Sequence, residues 1–274
     1  MGGAVKKRDV RGKLYLVTGG AIGMGKEVAK LFAADGARVV LWDINADKLE
    51  KAAAEVRDLG AEVMTDVVDV TDREQVYAAA QRVKQDFGKV DILHNNAGVV
   101  KGGYFMDVED EWHLKTMDVN FNAYMWTMKA FMPEMIKAND GHIINVASAA
   151  GLTYVPMLST YCASKAAVVN FTDTLRLEMK KQGKSGVRFT TVCPSFVTTG
   201  MFEGVKAPLL VPWLSTEKMS RKIYEAYHRQ RNIVMEPPLV KFVPLFRGAL
   251  PRPVYDVVSE VMGLTRAMAH WKGH

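Results

Sequence analysis

A doubly wound parallel α/β sheet in a single domain is the fold class this chain predicts, and three observations predict it. Short apolar runs alternate with amphipathic helical segments through the first two-thirds of the chain. The runs are nearly continuous in Val, Ile and Leu, as strands covered on both faces are. A glycine-rich turn joins the first run to the first helix. The right-handed crossover rule makes the doubly wound arrangement the simplest topology, and 274 residues are ordinary for one such domain.

In chain order, strands are expected over 14–18, 38–42, 62–68, 92–94, 142–146 and 187–192. Helices are expected over 26–35, 46–59 and 72–87, where apolar residues recur at helical spacing. Regularity fades after Pro194. The apolar stretch 202–214, with Pro208 and Pro212, reads as a loop over a site. A helix over 217–231 and a last strand over 232–236 close the main body, 1–236, which includes the substrate loop 195–215. From 237 to 274 runs an apolar, basic extension. Pro237, Pro238, Pro244, Pro251 and Pro253 break it into short pieces. Within it Val254, Val257, Val258, Val261, Met262 and Met268 form one apolar stripe.

Composition narrows the classes. An apolar fraction of 49% and a charged fraction of 24% exclude disordered and low-complexity chains. The net charge of +6 fits anionic ligands or membrane surfaces and demands neither; no nucleic-acid partner is expected. Two cysteines, Cys162 and Cys193, make no disulfide framework, so a reducing, cytoplasmic setting is expected. Lys6, Lys7 and Arg8 precede no apolar segment, so no signal peptide is expected, and Lys6 stands where myristoylation of Gly2 needs Ser or Thr. The uncharged stretch 141–164 is too rich in Ser, Gly, Asn and Pro for a membrane span. No metal site is expected.

The turn Thr18-Gly19-Gly20-Ala21-Ile22-Gly23-Met24-Gly25 leads from the first strand into the first helix. Glycines there let the backbone approach a pyrophosphate, and a helix N-terminus offers free N–H groups and positive partial charge. Asp43 ends the second strand, 18 residues beyond Gly25. A carboxylate at that place accepts hydrogen bonds from ribose hydroxyls and repels a 2′-phosphate, and Ile22 and Ile44 offer no cation to such a phosphate. NAD rather than NADP is therefore expected.

Tyr161 and Lys165 stand four apart, on one face of a helix. A phenol with a pKa near ~10 is a poor base at neutral pH, and a fixed ammonium beside it stabilises the phenolate. Tyr161 is thereby a candidate proton acceptor from an alcohol.

These residues, in this order, resemble the short-chain dehydrogenase/reductase family. The glycine turn, Asn95-Asn96-Ala97-Gly98, Asn120, Ser148 (13 before Tyr161), Tyr161 and Lys165 carry the resemblance across 13–201. It implies a Rossmann-like fold and a catalytic set of Asn120, Ser148, Tyr161 and Lys165. Ser148 would hold the substrate oxygen, Tyr161 would act as general acid/base, Lys165 would bind the nicotinamide ribose, and Asn120 would anchor a water leading from Lys165 to solvent. The resemblance also implies cofactor contacts from Gly19, Ala21, Ile22, Gly23, Met24 and Gly25, from Asp69 and Val70 at the adenine, from Asn96, Ala97 and Gly98, and from Pro194, Val197 and Thr199. Plainer roles stay open: Asp69 as cap of the third helix, Asn96 at a strand end, Asn120 as a kink residue. Ser195 departs from the family's glycine after Pro194. The family also implies a homodimer or homotetramer built on long helices over 111–137 and 159–181.

Substrate identity should lie in the segments 99–105, 151–158 and 196–214, with Tyr154, Phe196 and Phe202 as candidate contacts. Their apolar lining points to a lipophilic alcohol or ketone. The C-terminal third resembles, more loosely, the branch with retinol and 17β-hydroxysteroid dehydrogenases. From 237 to 274, five Lys/Arg face two Asp/Glu, a charge that with the apolar stripe fits weak contact with a membrane surface; packing on the core or on a partner copy is the other reading. Three alternative functions remain: an idle nucleotide-binding regulatory module on the same fold, an NADP-dependent carbonyl reductase, and a methyltransferase with a glycine-rich turn, in which the Tyr161–Lys165 pair has no task.

Overall fold

The computed structural model describes residues 8–272; Gly2, Lys6, Lys7 and Gly273, on which some expectations rest, lie outside the described residues. Seven parallel strands form one sheet: β1 (Leu14–Thr18), β2 (Arg38–Asp43), β3 (Val63–Val67), β4 (Ile92–Asn95), β5 (Gly141–Val146), β6 (Val187–Pro194) and β7 (Ile233–Glu236). Their order is β3-β2-β1-β4-β5-β6-β7. All expected strands are present, the edges differing by one or two residues.

Alternation along each strand feeds two cores. Leu14 and Leu16 of β1 join Val40, Leu93, Ile143 and Phe189 in one apolar cluster, while Tyr15 and Val17 join Val39, Leu41, Ile144 and Val192 in the other. The first cluster is covered by α3 (Arg73–Asp86), α5 (Ala123–Ala138) and α6 (Ser159–Lys181). The second is covered by α1 (Gly23–Ala34), α2 (Ala46–Arg57) and α7 (Thr216–His228). Strand order reverses direction at the β1–β4 boundary, and a doubly wound sheet opens a crevice beyond the C-terminal ends of those strands.

Three local features differ from expectation. The long helix over 111–137 is not one regular element: α4 (Asp110–Met117) is followed by a π-helical turn, Asp118–Asn122, and then α5. The third helix is capped by Asp72, whose carboxylate accepts from Glu74 and Gln75 N–H, and not by Asp69. The extension folds into α8 (Val243–Ala249) and α9 (Arg252–Val261). α9 buries Tyr255 and Ser259 and leaves Val254, Val257, Val258 and Val261 exposed, so most of the apolar stripe faces away from the core. The last residues strap back over the main body: Lys206 N–H donates to Ala267 C=O and Lys272 N–H to Glu203 C=O. No helix among the described residues is long and apolar enough to cross a membrane.

Candidate active site

The glycine turn lies at the β1–β4 crevice. Gly19 has φ +64°, and a Cβ on it would meet Ala97 and Asn96 at 3.0–3.2 Å. α1 begins after Ile22 with no side-chain cap, whereas α2, α3 and α7 are capped by Asn45, Asp72 and Ser215. The first N–H groups of α1 are thus left for a ligand. Asn96 ties the turn to β4, its Nδ2 donating to the carbonyls of Thr18 and Gly19. Asp43 is fixed from two sides: one carboxylate oxygen accepts from Ala21 N–H and the other from Asn45 N–H, both at 3.0 Å.

A single cavity of about 1030 Å³ runs from this turn to the far end of the crevice. It is lined by Gly19, Ala21, Ile22, Gly23, Met24 and Asp43, by Asp69 and Val70, by Asn96, Ala97 and Gly98, and by Pro194, Val197 and Thr199. Ser148, Tyr161 and Lys165 line the same cavity. The donor set suits a dinucleotide: free N–H groups at the start of α1, a carboxylate at the end of β2, and a phenol and an amine on α6.

Ser148 follows β5 and accepts from Ala150 N–H; its side chain also hydrogen-bonds Tyr161. Lys165 Nζ lies 5.9 Å from the Tyr161 ring centroid and donates to Val146 C=O at 2.8 Å. Burial pushes the Tyr161 hydroxyl well above its ordinary pKa, opposed by the bond to Ser148. Burial also pushes Lys165 down to about 7. The expectation that Lys165 lowers Tyr161 thus meets a stronger opposing effect, because both groups are desolvated.

Several expected residues sit elsewhere. Asn120 is fully buried and does not reach the cavity surface; its Nδ2 donates to Val99 C=O and Ser164 Oγ, and its Oδ1 accepts from Val99 N–H. A Cβ on Gly98 would lie 3.3 Å from Asn120 Oδ1 and 3.5 Å from Lys165 Nζ, so glycine leaves open the space between them. Gly25 packs helix against strand and does not face the cavity: a Cβ there would lie 2.3 Å from Gly19 O. Tyr154, expected at the substrate, does not line this cavity: it turns to α9, where its hydroxyl donates to Asp256 and its ring packs edge-on to Tyr255. Phe196 does not line it either; it is buried against Phe202 and Trp213. Phe202 does line the cavity, edge-on to Tyr161 at 5.9 Å. Ser195 adopts an ordinary backbone conformation, its N–H donating to Glu236 C=O, so glycine is not required there.

Sequence reasoning missed the α4 wall, Glu111, Trp112, Leu114 and Lys115, and missed Lys48 of α2 at the Asp43 end. Lys101 and Lys115 flank the Trp112 ring at 5.3 and 4.9 Å. The available signal was topological: α4 follows β4, which borders the crevice.

The sequence model of the short chain dehydrogenase family matches residues 13–209. The chain is 38% identical over 261 residues to epidermal retinol dehydrogenase 2 of Mus musculus, covering 94% of this chain and 84% of that protein. It is 40% identical over 254 residues to estradiol 17-beta-dehydrogenase 11 of Homo sapiens, covering 93% and 84%. A short chain dehydrogenase/reductase from Burkholderia phymatum, solved in complex with NAD, superposes with a TM-score of 0.80 at 29% identity, covering 88% of this chain and 95% of that one. Ser148, Tyr161 and Lys165 meet in one crevice of the matching fold, and on these matches the chain belongs to the short-chain dehydrogenase/reductase family.

Proposed function

We propose that this oxidoreductase moves a hydride between NAD and a lipophilic alcohol or ketone, with Tyr161 as general acid/base. The observation that carries the reading is convergence: Ser148, Tyr161 and Lys165 share one cavity with the glycine turn and Asp43. NAD, when bound, supplies the hydride acceptor and a positively charged ring that favours the Tyr161 phenolate. Gly19, Ala21, Ile22, Gly23, Met24, Asp69, Val70, Asn96, Ala97, Gly98, Pro194, Val197 and Thr199 would hold the cofactor. Asp43 accepts from the adenosine ribose hydroxyls and disfavours a 2′-phosphate.

In the oxidative direction Ser148 Oγ donates to the substrate oxygen and orients it. Tyr161 Oη takes the hydroxyl proton as the carbon is oxidised. Lys165 holds the nicotinamide ribose with its ammonium and keeps positive charge near Tyr161. Asn120 braces the α6 side through Ser164 and Val99, and a water in the space left by Gly98 joins it to Lys165 for proton exit. Reduction of a ketone runs the same steps backward, with Tyr161 giving its proton.

Phe202, Met201, Val100, Trp112 and Leu114 give the reacting end an apolar lining, which supports a lipophilic substrate. The two curated relatives carry retinol and estradiol in their names. The exposed valines of α9, with Phe242, Leu245 and Phe246, support a weak, peripheral membrane contact of a cytoplasmic protein through the 237–272 region. Phe121 of the π-helical turn, Trp126 of α5 and Phe171 of α6 stay only half-buried where they pack at the margin of the core, which supports a homodimer or homotetramer built on these helices.

A panel of long-chain, steroid, retinoid and cyclic alcohols, read as NADH formation, tests the reading. Turnover of a lipophilic member with NAD is expected. NADPH binding tighter than NADH, or no turnover across the panel and the matching ketones, contradicts it and favours the idle module.

A further inference from the structure

Lys165 is 3% exposed and forms no ion pair with a carboxylate among the described residues. An ammonium in such a place needs other compensation. Four groups face it. The Val146 carbonyl on β5 accepts a hydrogen bond from Nζ at 2.8 Å. The Tyr161 ring, on α6 itself, stands at 5.9 Å. The Cys193 thiol on β6 is held neutral, its pKa pushed up to about 12 by burial. The fourth group is the ring of Tyr124 on α5, whose centroid lies 5.5 Å from Nζ, the nearer of the two aromatic faces.

Tyr124 is fully buried, and its hydroxyl donates to the carbonyls of Ala97 and Val146, each at 3.1 Å. Ala97 follows β4 and Val146 ends β5, so one side chain clamps the two strand ends that border the reacting part of the cavity. The carbonyl it holds at β5 is the same one on which Lys165 rests. Tyr124 stands four residues after Asn120, in the first turn of α5. The π-helical turn before it therefore faces both Asn120 and Tyr124 toward the α6 side of the site.

We infer that Tyr124 is a positioning residue of this active site: its ring face stabilises the Lys165 ammonium, and its hydroxyl fixes the Val146 carbonyl that orients it. The inference rests on the proposed role of Lys165 toward the nicotinamide ribose. A cation over an aromatic face is attracted by the ring quadrupole, and the attraction grows when both are desolvated. Phe at 124 keeps the face and loses the clamp; Leu loses both.

NADH fluorescence titrations from about pH 5.5 to about pH 9 on the full chain separate the two parts without any substrate. In the parent protein affinity falls as pH rises through the Lys165 titration. Tyr124→Phe is expected to leave that midpoint within about 0.3 unit and to weaken NADH binding roughly three- to tenfold through the lost clamp. Tyr124→Leu is expected to move the midpoint down by about one unit, a tenfold loss of proton affinity. Circular dichroism and a thermal transition establish that each variant is folded; Tyr124→Met replaces the Leu variant if that one is not. A folded Leu or Met variant with the parent midpoint overturns the ring's role, and a Phe variant with parent affinity overturns the clamp. Either result leaves the Tyr161 relay standing, whereas a parent protein that does not bind NADH sinks the functional reading itself.

Discussion

Asp43 keeps its carboxylate at the rim of the crevice because Ala21 and Asn45 each bind one of its oxygens through backbone N–H. Each oxygen retains a lone pair for a ribose hydroxyl. Replacing Asp43 by Asn removes the charge at nearly constant shape. NADH affinity is expected to fall roughly tenfold, since hydrogen bonds to a charged group are about twice as strong as neutral ones. NADPH affinity is expected to rise, because the repulsion is gone and Lys48 supplies a cation at the same end. Parallel NADH and NADPH fluorescence titrations check this; an unchanged ratio argues that Asp43 does not meet the ribose. At this scale the sequence was informative where chemistry needs a particular side chain, as at Asp43, Ser148, Tyr161 and Lys165. It was uninformative about orientation. Tyr154 and Phe202 look alike as apolar wall residues, and only tertiary packing separates them: α9 draws Tyr154 away, while Phe202 packs edge-on to Tyr161 and lines the cavity.

Between β1 and α1 the glycine pattern does two different tasks. Gly19 opens the turn, and Gly25 lets α1 lie directly against it. Gly25→Ala would place a methyl 2.3 Å from Gly19 O and 2.6 Å from Asn96 Nδ2. Backbone must shift, so stability is expected to fall by about 1–3 kcal/mol. NADH affinity is expected to fall with it, as the N–H groups of α1 move; a thermal melt and an NADH titration read both. An unchanged melting temperature contradicts the close packing. Strands and the glycine turn were legible because apolar runs and glycine spacing mark them. The break between α4 and α5 was not, because Asp118-Val119-Asn120-Phe121-Asn122 contains neither Gly nor Pro, and a π-turn leaves no local signal. The cap at Asp72 rather than Asp69 is a shift of three residues, which Asp-Val-Thr-Asp, with a carboxylate at each end, leaves ambiguous.

Across the molecule, two buried neutral histidines tie stability to pH. His94 accepts or donates at 2.6 Å to Tyr15 and His142 at 2.8 Å to Thr190, and burial lowers both pKa values to about 3. A histidine whose folded pKa is depressed binds more protons when unfolded, so its stabilising effect is complete above about 6.5 and is lost as pH falls toward about 3. The melting temperature is expected to drop steadily across that window, and His142→Gln is expected to flatten the drop; a flat profile in the parent contradicts it. The outward face of α8 and α9 gives a second whole-molecule expectation. Val257→Asp with Val261→Asp is expected to abolish co-sedimentation with anionic vesicles while leaving NADH affinity intact, and sedimentation unchanged by the pair removes the membrane contact. The sheet order and crevice were legible from strand–helix alternation, but which way the extension presents its stripe depends on Tyr255 meeting Thr153, a contact 102 residues apart that no local pattern encodes. The account as a whole rests on proton transfer by one phenol. Tyr161→Phe, measured with an alcohol that the parent oxidises, is expected to keep NADH affinity within about twofold and to lose at least about 10²–10⁴ in kcat. Turnover retained at the parent rate would contradict the central claim.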